Sequence, residues 1–428
     1  MATDNFTALR RLTVWKDSTH VGVLESDALG RLRFRYVDAV LDRPDLAVSV
    51  RLPVRRQPWD DQDALPCFEN LLPESDIRTH IAQATHLASK DVSGLLGVIG
   101  GECAGALTLW PDGELPPEPP VYEACTQASL TNLFTAAGSH SAALQQRTRQ
   151  SMSGAQDKVV LLRTTDNRGR ADPAGASYQL PLHGAPGTVL CKRDRGRYPG
   201  LVANEIACMS LMHHAGVPTA SHTVNALAPD VYETARFDRV VRADGRVQRL
   251  HAEDGCQITG YVSIAKYADP RGPSFQDLVA ALRRYSADAA TDTELLLRWA
   301  VANVVIGNRD AHAKNVSILH HADGTIRLAP AYDVICTLVY PIDTKLALPF
   351  GGTRHTSAFT RGMWRVVARE FRVTDAFARE VAADVLERVL RSCDDALHAS
   401  AAQAGAHEVL TGIRDTITAQ GASLTALL

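Results

Sequence analysis

Asp310 and Asn315 stand in the run Gly307-Asn308-Arg309-Asp310-Ala311-His312-Ala313-Lys314-Asn315, and Asp333 follows in Tyr332-Asp333-Val334. Those residue types suit phosphoryl transfer. That chemistry asks a protein for a group to orient the attacking hydroxyl, oxygen ligands for Mg²⁺, and cations or backbone amides around the phosphates. In D-x-x-x-x-N spacing the aspartate accepts the hydroxyl proton and the asparagine amide oxygen ligates the metal. Asp333 would add a carboxylate, and a hard cation such as Mg²⁺ needs few protein oxygens beside those of the phosphates. The spacing alone is weak, because about one such pair is expected by chance in a chain this long. Asp310 and Asn315 could equally cap a turn after a helix. The weight therefore falls on the elements that position them.

Thr291-x-x-Glu294 reads as a capping box opening an apolar helix from Glu294 to Val305, which leads into the loop. Thr325 to Pro330 then forms an apolar segment that delivers Asp333. Upstream, Val159 to Leu162 and Gly187 to Lys192 read as core strands, and Val202 to Ala215 as a helix closed by Gly216 and Pro218. Lys192 ends an apolar strand, and Glu205 lies in the next helix. Lysines such as Lys158 and Lys192 commonly sit as solvated strand ends.

Near the N-terminus Leu12 to Trp15 and Arg31 to Tyr36 alternate apolar and polar residues, the period-2 pattern of half-buried strands. Ser75 is placed to cap a helix near Asp76 to Thr85, and a glycine-rich stretch spans Gly94 to Gly101. Pro116 to Pro120 reads as a stiff spacer. The expected division is a β-rich unit over 1–115, a linker over 116–125, a mixed lobe over 126–240 and a helical lobe over 241–428.

The 428 residues carry a net charge of −3 with 45% hydrophobic content, so a polyanion partner would have to be met by a local patch. No apolar run is long enough for a membrane span, and Met1 to Asn5 lacks the start of a secretory signal, which points to the cytoplasm. The eight cysteines (67, 103, 125, 191, 208, 256, 336, 393) include no C-x-x-C pair, so they read as small buried hydrophobes and signal neither a disulfide scaffold nor a zinc site.

With these elements in place, G-N-x-D-x-H-x-K-N followed by L-A-P-x-Y-D resembles the HipA-like serine/threonine kinases, the toxins of bacterial toxin–antitoxin pairs. Further stretches resemble that family along nearly the whole chain. Ser151 to Lys158 is similar to its S-x-x-G-A-Q-x-K phosphate loop, Ala235-Arg236-Phe237-Asp238-Arg239 to its hinge strand, and Arg249 to Gln257 to its R-L-H-x-E-D-x-C-Q motif. Asp343 to Pro349, Leu52-Pro53 and Asn70 to Glu74 also fit.

The resemblance implies an α+β fold, two-lobed and protein-kinase-like, with an N-terminal β-rich subdomain and an all-α C-terminal lobe. It implies ATP and Mg²⁺ as cofactors, with Asp310 as catalytic base and Asn315 and Asp333 as metal ligands. The implied nucleotide contacts are Ser153, Gly154, Ala155, Gln156, Asp157, Lys158, Lys192, Ala235, Arg236, Phe237, His312, Ala313, Lys314, Asn315 and Asp333. Lys314 would neutralise charge on the transferred group. Ser151 is the implied autophosphorylation site, where added negative charge would expel the phosphate loop as an off-switch. Ala235 departs from the family's Glu-Arg-Phe, a change a backbone-read hinge tolerates. The implied partners are a helix-turn-helix, HipB-like antitoxin, operator DNA reached mainly through it, and a protein substrate such as an aminoacyl-tRNA synthetase. Two rival readings are a small-molecule or lipid kinase, whose loop shares D-x-H-x-x-N, and a non-catalytic co-repressor acting through the antitoxin. The arginines from Arg354 to Arg372 (361, 365, 369) read as a solvated helix face, with a DNA-contacting surface as the alternative.

Overall fold

The computed structural model describes residues 6–135, 142–151, 158–164, 177–193, 196, 198–268 and 271–428. The chain divides into two compact units. The first comprises residues 1–191, 238–253 and 320–324, and the second residues 192–237, 254–319 and 325–428.

In the first unit the two alternating segments are strands, as expected, and both pair with the strand between them. The strands Leu32–Tyr36, Thr19–Ser26, Arg10–Lys16 and Leu107–Pro111 form a four-stranded antiparallel sheet in that order. Leu12, Val14, Leu24, Leu32 and Phe34 turn to one face and are buried with residues of the helices Asp61–Glu69, Ser75–Ala84 and Val92–Ile99. The glycine-rich stretch thus supplies part of a helix, capped by Asp91, whose carboxylate accepts from the Gly94 amide. The helix expected from Asp76 begins one residue earlier, with Glu74 in the cap position. A second group of strands contains Val121–Cys125, Ser177–Leu182 and Lys158–Thr164, antiparallel in that order. The spacer expected over 116–125 is therefore too long, because Val121 to Cys125 pair in register with Tyr178 to Leu182.

In the second unit the helix Leu201–His214 is apolar on nearly every side and correspondingly buried, lying against Asp375–Ala404. Gly216, at φ 84°, ends it. The hairpin His222–Asn225 and Ala228–Ala235 follows. The helix leading to the catalytic-type loop is Ala289–Ile306, which starts five residues before the expected Glu294. The reason is that the Asp288 carboxylate, not the Thr291 hydroxyl, caps it by accepting from the Thr291 amide at 3.2 Å. Helices Phe275–Tyr285, Met363–Phe371, Asp375–Ala404 and His407–Thr425 complete a largely helical region. It is interrupted by short strands Ser317–His320 and Ile326–Leu328, which precede the turn carrying Asp333. Arg365 and Arg369 lie on Met363–Phe371 and are exposed, as expected of a solvated face. All eight cysteines are buried thiols.

Candidate active site

The loop after Ala289–Ile306 is shaped by hydrogen bonds within itself and by others to Thr337 and Gln420. Gly307 closes the helix in the left-handed region at φ 82°, its amide donating to the Asn303 and Val304 carbonyls. A β-carbon there would lie 2.7 Å from Thr416 Cγ2, so both conformation and space require glycine. Asn308 Nδ2 donates to Asn303 Oδ1 (2.8 Å), and its own Oδ1 accepts from the Asp310 amide (3.0 Å). The Thr337 hydroxyl accepts from the Arg309 amide (2.8 Å). The buried Arg309 guanidinium donates to Gln420 Oε1 (2.8 Å), and burial pulls its pKa down to about 10.

Asp310 and Asn315 are brought together by this folding. Asn315 is buried, and its Nδ2 donates to the Asp310 carbonyl at 3.2 Å, leaving Oδ1 as the acceptor of that amide. The Tyr267 hydroxyl donates to Asp310 Oδ1 at 3.1 Å. His312 is buried, with its ring edge-on to Tyr267 at 5.3 Å between centroids. Burial, with Lys266 and Lys314 nearby, holds it well below the ordinary histidine pKa, so it is neutral. Its Nδ1 has no hydrogen-bond partner among the described residues.

Lys192, Glu205 and Asp333 converge. Lys192 Nζ donates to Glu205 Oε1 at 2.7 Å and to Asp333 Oδ1 at 2.6 Å. Burial alone would lower the lysine pKa, but the two carboxylates outweigh it and hold the group protonated. Glu205 is buried, whereas the Asp333 side chain is 37% exposed. Asp333 also sits at φ 58°, a left-handed conformation that aspartate tolerates better than most L residues. Next to it, Tyr332 donates to the Lys314 carbonyl (2.6 Å) and shares a 2.6 Å hydrogen bond with Ser317, tying the turn to the loop. Phe237 lies against the Tyr332 ring at 5.6 Å.

Other expected site residues are placed differently. Lys314 is buried and ion-paired with Asp254 Oδ2 at 2.5 Å, so its charge is already neutralised within the protein. Ala313 is buried beneath the loop, its amide donating to the Lys266 carbonyl. Ala235 ends the strand Ala228–Ala235, followed by Arg236. In the first unit Lys158 begins its strand half-buried, and the buried Ser151 hydroxyl donates to the Leu71 carbonyl. Ser153, Gly154, Ala155, Gln156 and Asp157 lie outside the described residues. Tyr267 and the Asp254–Lys314 pair had no signal in the spacing around Asp310, although Asp254 belongs to the R-L-H-x-E-D motif.

Two family patterns match this chain: the HipA N-terminal domain over residues 12–110 and the HipA-like C-terminal domain over residues 150–396. The chain belongs to the HipA family. A relative from Sinorhizobium fredii, Y4mE, provisionally named a kinase, is 34% identical over 407 residues, covering 90% of this chain and 93% of its own. The serine/threonine-protein kinase toxin HipA of Shewanella oneidensis is 26% identical over 286 residues, 63% of this chain and 62% of its own. The fold also superposes on Shewanella oneidensis HipA, solved in complex with HipB and operator DNA, with a TM-score of 0.80 at 19% identity over 96% of both chains. The α+β, kinase-like HipA fold read from the sequence is therefore the fold of this protein.

Proposed function

We propose that this protein is an ATP-dependent serine/threonine protein kinase of the toxin type. The observation that carries the reading is the buried Lys192 held between Glu205 and Asp333, in the same unit as the Asp310–Asn315 loop. A strand lysine paired with a helix glutamate and set beside a metal-binding aspartate is the constellation phosphoryl transfer uses to orient phosphates.

The donor set fits Mg²⁺ on chemical grounds: an amide oxygen at Asn315 and a half-exposed carboxylate at Asp333 are hard oxygen ligands. The cation would supply charge neutralisation to the phosphates. Asp310, steadied by Tyr267, accepts the proton of the attacking hydroxyl. Lys192 exchanges part of its contact with Asp333 for a phosphate oxygen while Glu205 keeps it in place. His312 Nδ1, buried and unbonded, is available to a nucleotide as an acceptor or donor according to its tautomer. Lys314 acts through Asp254, bracing the loop, in place of the direct phosphate contact expected from the sequence.

On this reading Ser151 is phosphorylated by the protein itself. That requires its hydroxyl to leave the Leu71 carbonyl, so the modification marks a rearranged phosphate-loop region. By family likeness the substrate is a translation component such as an aminoacyl-tRNA synthetase, in the cytoplasm. A HipB-like antitoxin neutralises the protein and links it to operator DNA.

The test is incubation with γ-labelled ATP, Mg²⁺ and a cell lysate. Labelled protein bands are expected with the parent, and Asp310→Gln is expected to lower the rate by about 10²–10⁴-fold. Label confined to small molecules or lipids would instead favour the lipid-kinase reading. Toxicity undiminished in Asp310→Gln would favour the co-repressor.

A further inference from the structure

The first unit contains a cluster that the kinase chemistry does not use. His251, Glu253 and His320 bring one ligand atom each to within 4.8 Å of one another. Glu253 Oε1 is 3.7 Å from His251 Nε2 and 3.0 Å from His320 Nε2, and the two rings stand 4.7 Å apart at 53°. Ligands about 2.0–2.1 Å from a tetrahedral Zn²⁺ lie about 3.3 Å from each other, so small side-chain shifts would seat these three on one ion.

A hydrogen-bonded brace is the plainer account of such a cluster, and it leaves a fault. The His251 side chain is 1% exposed, and beyond a poorly aligned contact with the Val48 backbone neither ring nitrogen has a hydrogen-bond partner among the described residues. An unsatisfied buried polar atom costs about 1–3 kcal/mol. A cation accepting the Nε2 lone pair satisfies that nitrogen and leaves Nδ1–H to the Val48 backbone. Glu253 is already aimed by the Val50 amide at 3.0 Å. The other charged group facing the carboxylate is Lys16, whose ammonium is anchored on the Asp45 and Ala47 carbonyls at 3.0 and 2.7 Å.

We infer that His251, Glu253 and His320 form a binding site for a borderline divalent cation of the Zn²⁺ class, separate from the Mg²⁺ ligands Asn315 and Asp333. Two imidazoles and a carboxylate are a zinc donor set, and His320, 18% exposed, opens the cluster toward solvent for a fourth ligand. The ion ties residues 251–253 to the turn beginning at His320, with Val50 held to Glu253, segments far apart in sequence.

Full-length protein stripped with chelator and titrated with ZnCl₂ should retain one equivalent of zinc after gel filtration and melt at a higher temperature. With CoCl₂ it should develop the visible bands of tetrahedral cobalt. His320→Gln replaces the partly exposed ligand and should keep the metal-free melting temperature, while zinc affinity falls by at least 10–100-fold and the cobalt bands vanish. Asp333→Asn should keep both signals. The inference is overturned if the parent takes up no zinc and shows no bands, or if His320→Gln binds as the parent does. Replacing His320 spares the fully buried His251, whose loss would disturb the fold itself.

Discussion

Each unit of this protein buries a cluster of opposite charges, and the two clusters are built to different ends. In the first unit Glu102 is fully buried and saturated. One carboxylate oxygen accepts from Arg239 at 2.9 and 3.2 Å, the other from Arg249 at 3.0 Å, and the Gly187 amide adds a contact at 3.3 Å. Strand pairing sets Arg239 directly opposite Arg249, and the backbone carbonyls of Cys103, Gly105 and Gly184 take further guanidinium donors. In the second unit the Lys192 cluster is left open at Asp333, which is part-exposed and held in a left-handed conformation. Burial of charge alone is thus no mark of function. A saturated cluster specifies structure, while one with a strained, accessible member keeps capacity for a ligand.

The sharpest way to break that contrast is Glu102→Ala, which strands two buried guanidinium groups. It should cost about 3–5 kcal/mol, measured as a fall in the denaturant midpoint. A cost near zero would mean the cluster is not the structural element described. Gly307→Ala should cost about 1–3 kcal/mol from the left-handed conformation, with a matching loss of transfer activity because the loop bearing Asp310 starts there. Unchanged stability and activity would contradict the role given to that glycine. The smallest effect concerns pH. His222 is held below its ordinary pKa by burial, only partly offset by the Ala220 and Ile206 carbonyls, so the unfolded chain binds its proton more readily. Its contribution is complete above about pH 6.5 and declines as the pH falls below that. His222→Gln should flatten the acid side of the stability profile by less than about 1.4 kcal/mol per pH unit. A steeper acid side in the variant would mean the opposite sign for this histidine.

Local pattern made much of this legible. Alternation marked the N-terminal strands, glycine marked the end of Leu201–His214, and the strand ending in Lys192 and the helix carrying Glu205 were both readable, the two residues being paired at 2.7 Å. Where the reading failed, two residues competed for one role. Asp288 and Thr291 are both good capping residues, and only the folded chain shows that the aspartate caps. Proline density likewise drew the spacer too far, over a strand whose partner lies more than fifty residues away. The contacts Tyr267 to Asp310, Asp254 to Lys314 and Glu102 to two arginines join distant positions, so no periodicity or spacing encodes them. The family resemblance supplied the site residues but not these supports.

The central claim is that the open cluster serves phosphoryl transfer and not stability. Asp333→Asn tests it directly, with transfer from γ-labelled ATP and the melting temperature measured on the same preparation. Transfer should fall by about 10²–10³-fold while the melting temperature stays close to the parent's. Retained transfer, or a loss of stability like that expected for Glu102→Ala, would contradict it.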